Sequence, residues 1–365
     1  MPVLYTPDVE TVDEDETQLA AELAETLIGI SRKTAGDTGQ GLRSVHAKSH
    51  GLLVGELTIA EDLPPELAQG LFAHRGQYPL VMRFSTTPGD VLPDKVSTPH
   101  GLAIKILNVE GARVTGSETD TTQDFVMVNG PAFQTNNARA FLNSLKLLAL
   151  TTDRAEAAKV ALSSVLRNTE KIVEAFGGKS TPIRALGGEV PRHPAGEIYY
   201  TQVPVRYGDY IAKLSIVPAS DNVRALREVK IDVGGKDLIL RETMIETFRH
   251  QGGAWELRVQ LCENLEDMPV EDAAKVWDEA ISPFYTVARL TVPAQSAWSE
   301  VKSQAIDHGM AFNPWHALAA HRPLGSIMRL RQAAYVASST FRRQTDGRAL
   351  AEPSNLDALQ PEFAG

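Results

Sequence analysis

One tyrosine near the end of the chain stands at helical spacing from two arginines. Arg331 lies four residues before Tyr335 and Arg342 lies seven residues after it, so on an α-helix all three share a face. Positive charge beside a phenol stabilises the phenolate and lowers its pKa from about 10. Two interpretations stay open: a tyrosine held as an anion, or a basic amphipathic helix with a tyrosine in the core.

A histidine and an arginine precede the first strand-like segment. His46 follows Arg43 by three residues in LRSVHAKSHG. An imidazole has an ordinary pKa of about 6.5, so it can accept and release a proton near neutral pH. Histidines are nevertheless more often packed or surface residues than catalysts. The interpretation of His46 therefore depends on the segments that accompany it.

Two polar residues alternate along the strand-like segment LVMRFSTTPGD. Arg83 and Ser85 are two residues apart, and alternate residues of a strand share a face. An edge strand with a solvated arginine would explain the same pattern. Further along, Gly101 in STPHGLAIKIL indicates a place where another group approaches the strand closely.

The segment QDFVMVNGPAF ends in a polar residue and is followed by aromatic residues. Asn129 precedes Gly130, which by itself indicates a turn. Phe133 lies just beyond, and Phe141 follows about two helical turns later.

The elements expected around these residues are short strands with helices in three places. A helix is predicted over 15–34, and strand-like runs fill 44–133. A long helix over 138–176 follows, then further strands, then a helical tail that includes roughly 325–343. This order predicts an α+β fold, an antiparallel β-barrel with added helices.

Bulk composition limits the classes of protein. The 365 residues are 43% hydrophobic and 22% charged, which is typical of globular proteins. A net charge of −10 without a basic stripe argues against nucleic-acid binding. The single cysteine, Cys262, argues against intrachain disulfides and fits a reducing compartment. Since no secretory signal or membrane-length apolar run is visible, a cytoplasmic location with no membrane partner is expected.

The domain organisation is predicted to be simple. Residues 1–14 are expected to form a loose acidic arm, and no linker rich in Pro, Gly and Ser divides the remainder. One domain over 1–365 is therefore expected. No GxGxxG follows an early strand, so a dinucleotide-binding domain is not expected.

Taken in order, the segments resemble the haem catalase superfamily. VHAKSHG is similar to its distal-histidine motif, VMRFST to the strand that anchors the haem propionates, and HGLAIKI to its RGFA-type strand. VNGPAF is similar to the distal-amide segment and RQAAY to the R-x-F-x-Y proximal motif. The resemblance runs from about 42 to 343. It implies a catalase-like barrel core and haem b, with its iron, as cofactor.

The resemblance implies a role for each residue named above. His46 would be the distal base, Asn129 the distal amide, and Tyr335 the axial ligand of the iron. Arg43, Arg83 and Arg331 would be partners of the propionates or the phenolate, and Ser85 would support His46. The residues implied to contact the haem are Arg43, Val45, Arg83, Ser85, Phe133, Phe141, Arg331 and Arg342.

Three departures narrow the resemblance. The family ending Y-x-D-T-H-R-H-R is here YVASSTFR, and its N-T-P is here N-G-P. Only 30 residues follow Tyr335 (365 minus 335), so the C-terminal helical region of large catalases is expected to be missing. FNPWHALAAHRPLGSIMR resembles the smaller catalase-related peroxidases, sometimes called minicatalases. A shorter and wider approach to the haem would then admit organic peroxides and organic donors.

The function implied is haem-dependent peroxide reduction, with an organic electron donor and some catalase activity; a homo-oligomer is also compatible with it. One alternative is conversion of fatty-acid hydroperoxides, as in the allene oxide synthase branch. There a threonine precedes the distal histidine, whereas this chain has Val45. Another alternative is a non-catalytic haem carrier, which would need neither His46 nor Asn129. A barrel that binds apolar ligands without haem would show no Soret absorption.

Overall fold

The computed structural model describes residues 1–96, 98–151, 190–234, 236–350 and 352–356. Within these ranges nine strands form one sheet. They are β1 Ser49–Ile59, β2 Gln77–Thr86, β3 His100–Ile106, β4 Gln123–Val128, β5 Tyr199–Tyr200, β6 Val205–Tyr207, β7 Tyr210–Pro218, β8 Gly253–Leu261 and β9 Tyr285–Val292. The α-helices are α1 Glu16–Thr38, α2 Ala138–Thr151, α3 Asp221–Arg224, α4 Ile239–Phe248, α5 Glu300–Lys302 and α6 Ser326–Asp346.

Eight of the strands in the described part of the chain close into an antiparallel barrel. Their order is β5-β4-β3-β2-β1-β9-β8-β7, and β7 pairs back with β5. β6 adds to the free side of β7 and is bridged in turn by Pro323. The predicted fold class, an α+β protein built on an antiparallel barrel, is therefore confirmed.

Side-chain alternation along β2 separates the two faces of the barrel wall. Leu80, Met82 and Phe84 belong to the large apolar cluster that fills the interior. Arg83 and Ser85 alternate with them, so they lie on the outer face of the wall. The candidate polar residues of this strand are therefore outside the barrel core.

Helices α1, α2 and α6 pack around an apolar cluster that is separate from the barrel core. In α1, Leu19, Leu23, Leu27 and Ile30 repeat every three or four residues and are buried. They pack with residues of α2 and with Leu330 of α6. Asp15 makes no side-chain capping bond at the start of α1, whereas Asn137 Oδ1 accepts from the Ala140 N–H at 3.0 Å at the start of α2. The first N–H of α6, that of Ser326, donates to Glu271 Oε2 at 2.7 Å.

The predicted helices agree with the structure in position and differ at their ends. α1 continues to Thr38 and stops at Gly39, whose φ of +70° favours glycine. The predicted helix over 138–176 is helical as far as Thr151, and its remainder lies outside the described residues. α4 was not predicted, because four of its ten residues are β-branched and obscure the helical period.

The first residues do not form the loose arm expected from the sequence. The backbone N–H of Val3 donates to Cys262 O at 2.7 Å, and that of Tyr5 donates to Asp209 O at 2.7 Å. Glu10 forms an ion pair with Arg329 of α6 at 2.7 Å. The acidic residues of this segment thus include counter-ions for the helix that carries Tyr335. No helix in the described part of the chain is both long and apolar enough to cross a membrane.

Candidate active site

Tyr335 lies in α6 and is hydrogen-bonded to the arginine one turn before it. Arg331 Nη2 donates to Tyr335 Oη at 2.7 Å, as the spacing of four residues predicts. The tyrosine is half-buried beside Val114 and Trp315. Burial raises the pKa of Tyr335 above its ordinary value, although Arg331 acts to lower it. In contrast to the sequence-based expectation, the protein alone therefore favours the neutral phenol, and the phenolate needs a further cation at its oxygen.

Arg342 shares the helix face with Tyr335 but does not contact it. Seven residues advance an α-helix by about 10 Å, which is too far for the two side chains to meet. The Arg342 guanidinium instead donates to the carbonyl oxygens of Asp307 and Met310, and it is buried. Its Nε has no hydrogen-bond partner among the described residues. A buried N–H without a partner is costly, so it is a place where an anion would be stabilised.

Three arginines gather around one residue, Asp307, outside the barrel wall. Arg83 Nε donates to Asp307 Oδ1 at 2.6 Å, and Arg43 Nη1 donates to Asp307 O at 2.6 Å. Burial raises the pKa of Asp307, but Arg83 and Arg43 outweigh it and lower that pKa to about 2. Burial and the charge of Arg83 lower the pKa of Arg342 to about 10. Arg83 and Arg43 pair with the Asp307 carboxylate, and Arg342 bonds to the backbone carbonyl of the same residue. Three neighbouring guanidinium groups with one carboxylate among them leave an excess of positive charge, which favours a second anion.

The carboxylate of this cluster stands in a short π-helix, Ser303–His308, which continues α5. π-helical turns are rare and occur often at functional sites. Ser49 Oγ donates to Asp307 Oδ2 at 2.6 Å, and Ser303 Oγ donates to the same oxygen at 3.2 Å. These bonds fix the carboxylate that in turn fixes Arg83.

His46 is held by contacts to both its backbone and its ring. Its φ of +56° is unusual for a residue with a side chain. Arg83 Nη2 donates to His46 O at 2.9 Å, and the His46 N–H donates to Thr87 O at 2.8 Å. Ring atom Nδ1 is 3.1 Å from Ser85 Oγ, so Nε2 is the nitrogen that remains for a substrate.

Glycine at position 101 provides the space that the His46 ring occupies. A Cβ on Gly101 would overlap His46 Cε1 and would lie 2.5 Å from Nδ1. Gly101 is the register partner of Ser85 on the neighbouring strand β2. The sequence-based expectation of a close approach at this glycine is therefore confirmed, and the approaching group is His46.

The environment of His46 keeps its imidazole neutral. Burial is the largest cause, and the charges of Arg83 and Arg331 add to it, so that the pKa falls to about 3. Arg331 thus acts on His46 electrostatically and on Tyr335 by a hydrogen bond. The loop before His46 also contacts α6 directly, since Ser44 Oγ donates to Ser338 Oγ at 3.1 Å. The segment that carries His46 and the helix that carries Tyr335 are therefore in contact.

Comparisons with known proteins show which fold carries this arrangement. No family model and no curated protein sequence matches the chain. A fungal catalase structure superimposes with a TM-score of 0.57 at 17% identity, over 83% of this chain and 58% of that one. The chain has a catalase-like fold.

Two further catalase structures agree with this result. Catalase A from Saccharomyces cerevisiae has a TM-score of 0.56 at 16% identity, over 86% of this chain and 63% of that one. A bacterial catalase has a TM-score of 0.56 at 16% identity, over 98% of this chain and 67% of that one. The chain thus spans about 60% of the length of the first two structures.

The predicted aromatic residues lie together, one in the segment after β4 and one in α2. Phe133 and Phe141 form an edge-to-face pair with ring centroids 5.0 Å apart. Both pack against a small cluster that includes Met328 of α6, whose sulfur is 3.4 Å from Arg331 Nη1. Val45 packs against the cluster formed by α1, α2 and α6.

Asn129 lies just beyond the end of β4, and its side chain is committed to two neighbours. Its Oδ1 accepts from the His100 backbone N–H at 3.0 Å, and its Nδ2 donates to Glu197 Oε1 at 2.8 Å. Glu197 also contacts His100 Nδ1 through its other carboxylate oxygen. The sequence analysis missed both partners, because no motif contains Glu197 and 68 residues separate it from Asn129.

Proposed function

We propose that this catalase-like protein binds haem b between His46 and Tyr335 and uses it to reduce peroxides. The observation that carries the proposal is one set of contacts on the outer face of the barrel wall. A neutral His46 on Ser85 and a Tyr335 on Arg331 share the electrostatic influence of the same guanidinium. Neither feature alone would distinguish a reaction site from a packed core.

The residues present fit a haem by the chemistry of their donors. Tyr335 would hold the iron through its phenol oxygen, and the positive charge of ferric iron would supply the cation that its phenolate needs. Arg43, Arg83 and Arg342 would bind the propionates, and the unpartnered Nε of Arg342 is a donor for one of them. Phe133 and Phe141 would offer an aromatic surface beside the ring. Haem, when bound, supplies the redox chemistry of its iron.

The protein's own residues would move protons and hold the peroxide. With its pKa near 3, His46 is neutral at pH 7, so Nε2 can accept a proton from one peroxide oxygen and return it to the other. Ser85 would hold the ring through Nδ1, and Gly101 leaves it the room it needs. The predicted role of Asn129 as the distal amide is not part of this proposal, because its side chain bonds to His100 and Glu197 on the interior side of the barrel wall. Each peroxide reduced to water consumes two protons and two electrons.

We propose that an organic donor supplies these electrons, with catalase activity as a minor reaction. The resemblance of FNPWHALAAHRPLGSIMR to the smaller catalase-related peroxidases supports this assignment. The test compares oxygen release with donor oxidation on one haem-loaded preparation given hydrogen peroxide. Fast oxygen release without donor oxidation would contradict the assignment.

Ligation by Tyr335 is tested by the optical spectrum. Tyr335→Phe removes the ligand oxygen, so we expect loss of haem or a large change in the Soret band. Tyr285→Phe is the matched control, because Tyr285 is 47% exposed on β9 and should leave the spectrum unchanged. A Tyr335→Phe protein that keeps the wild-type Soret band and ferric spin state would refute the proposal.

A further inference from the structure

The carboxylate of Asp307 uses its two oxygens in different directions. Oδ1 accepts from Arg83 Nε at 2.6 Å, while Oδ2 accepts from Ser49 Oγ at 2.6 Å and from Ser303 Oγ at 3.2 Å. The backbone oxygen of Asp307 accepts separately from Arg43 Nη1 at 2.6 Å. The main chain of this residue is therefore anchored independently of its carboxylate, which has no role in the reaction described so far.

Arg83 joins this carboxylate to the backbone of the segment that carries His46. Its Nη2 donates to His46 O at 2.9 Å and to Ala47 O at 3.3 Å. Two successive carbonyl oxygens that point at one place repel each other unless a donor lies between them. Arg83 is 2% exposed, and a guanidinium so buried needs a counter-ion, which Asp307 provides.

Asp307 thus acts on both ends of one short segment, residues 46–49. At the first end Arg83 links the carboxylate to the His46 carbonyl, and at the second end Ser49 bonds to the carboxylate directly. Ser49 is also the residue at which the pairing of β1 with β2 becomes irregular. The segment can move relative to Asp307 only if one of these bonds breaks.

The backbone of His46 is strained, so something must hold it. Its φ of +56° lies in the left-handed region, which disfavours every residue with a Cβ. Strain of this kind persists only where the surrounding structure imposes it. In this conformation the imidazole lies over Gly101, with Nδ1 3.1 Å from Ser85 Oγ. A relaxed backbone would redirect the Cβ of His46 and move the ring from that place.

We propose that Asp307 is a positioning residue, which holds the strained backbone of His46 through Arg83 so that the imidazole keeps its place. The inference rests on the proposed function and extends it to a residue that acts on the general base through its main chain. Without the negative charge, Arg83 is no longer tied to this position, and the two carbonyl groups lose their common donor.

The backbone restraint is tested first on the cofactor-free protein, by comparing His46→Gly with His46→Ala. Glycine adopts a positive φ readily and alanine does not, so we expect the glycine variant to have a Tm higher by about 1–3 °C. In an Asp307→Asn background the segment can relax to a negative φ, and this advantage should vanish or reverse. It should remain in the control background Asp62→Asn, which removes an exposed carboxylate 2.9 Å from Arg75. An advantage of unchanged size in Asp307→Asn would overturn the proposal.

The effect on the general base is tested second, with hydrogen peroxide and the haem-loaded protein. Asp307→Asn should react at least about tenfold more slowly than the wild type, because a catalytic group displaced by about 1 Å loses much of its effect. In a His46→Ala background the same change should cause little further slowing, since the group that it positions is gone. Equal slowing in both backgrounds would mean that Asp307 supports the haem or the fold rather than His46, and the positioning role would be wrong.

Ser49→Ala replaces Asp307→Asn as the test if the latter does not fold, because it keeps every charge around Asp307. It removes the direct bond between the segment and Oδ2, so the advantage of glycine over alanine at position 46 should shrink. No change in that advantage would count against the proposal.

The outcomes separate the inference from the function on which it rests. If the protein takes up no haem, or its spectrum is indifferent to Tyr335, the proposed function fails and the positioning role fails with it. If haem and Tyr335 behave as proposed but the glycine advantage survives in Asp307→Asn, only the role of Asp307 is overturned.

Discussion

At Tyr335, burial and charge act on one phenol in opposite directions. Burial raises its pKa, and a single arginine at 2.7 Å lowers it without overcoming the burial. The tyrosine is therefore neutral in the protein alone, and in the proposed function the iron would displace its proton. Binding of the cation and release of the phenolic proton are coupled, so haem uptake should be favoured by rising pH.

At His46, every neighbour acts in the same direction. Burial and nearby arginines all disfavour the imidazolium, and the pKa falls to about 3. In its proposed role as a general base, His46 would be weak but fully deprotonated at neutral pH. Its contribution to the rate should therefore vary little between about pH 5 and 8.

Replacing this residue tests whether it carries protons. His46→Ala should retain haem and should react with hydrogen peroxide about two to four orders of magnitude more slowly, the usual contribution of a general acid–base group. His74→Ala, at an exposed histidine, is the control. Stopped-flow rates equal to those of the control would remove His46 from the reaction.

At the level of elements, the seat of His46 is built by the pairing of two strands. Ser85 of β2 and Gly101 of β3 are register partners. Ser85 bonds to the His46 ring, and Gly101 leaves room for that ring. A shift of one residue would move the side chains of one strand to the other face of the sheet and abolish the seat. Strand register is thus a functional property of this barrel wall.

Gly101→Ala tests the seat without altering any polar group. The added methyl overlaps the imidazole, so the ring must move away from Ser85. We expect the peroxide reaction to slow at least about tenfold, within the range seen for a misplaced general base, while haem is retained. Gly36→Ala adds the same methyl within α1, where a Cβ meets nothing within 4 Å, and should be neutral or slightly stabilising. Wild-type rates in Gly101→Ala would show that the ring has other room.

The elements that local pattern determines could be predicted, and those that depend on distant contacts could not. α1 and α6 carry regular apolar stripes, and Arg331 meets Tyr335 because both lie in one helix. β5 and β7 lie within strand-like runs of the sequence, but their pairing, which closes the barrel, joins distant segments that no local pattern connects. The Asp307 and Glu197 contacts likewise join residues far apart in sequence, so no spacing rule could find them.

At the level of the whole molecule, several buried histidines make the fold sensitive to acid. Burial is the largest cause in each case, and it lowers the pKa of His46 and His321 to about 3 and that of His193 to about 4. In the unfolded chain these groups titrate near about 6.5. The unfolded state therefore binds more protons between these values, and stability must rise with pH across that window.

We expect the free energy of unfolding of the cofactor-free protein to fall steadily as pH is lowered from about 7 to about 4. Denaturant unfolding at a series of pH values measures this slope directly. His321→Gln should reduce the slope, because Gln does not titrate and can still accept from the Leu71 N–H. His74→Gln should leave it unchanged. A slope that His321→Gln does not alter would mean that this histidine is not held neutral.

The closed ring of strands has a consequence for how copies of the chain behave toward one another. An open sheet ends in rows of unpaired backbone groups, which act as templates for intermolecular strand addition and aggregation. Here β5 and β7 join the two ends of the sheet, and the extra strand β6 is covered by a segment that includes Pro323, a residue with no N–H to offer. In its folded state the barrel presents few such templates, so aggregation should require that the ring first open.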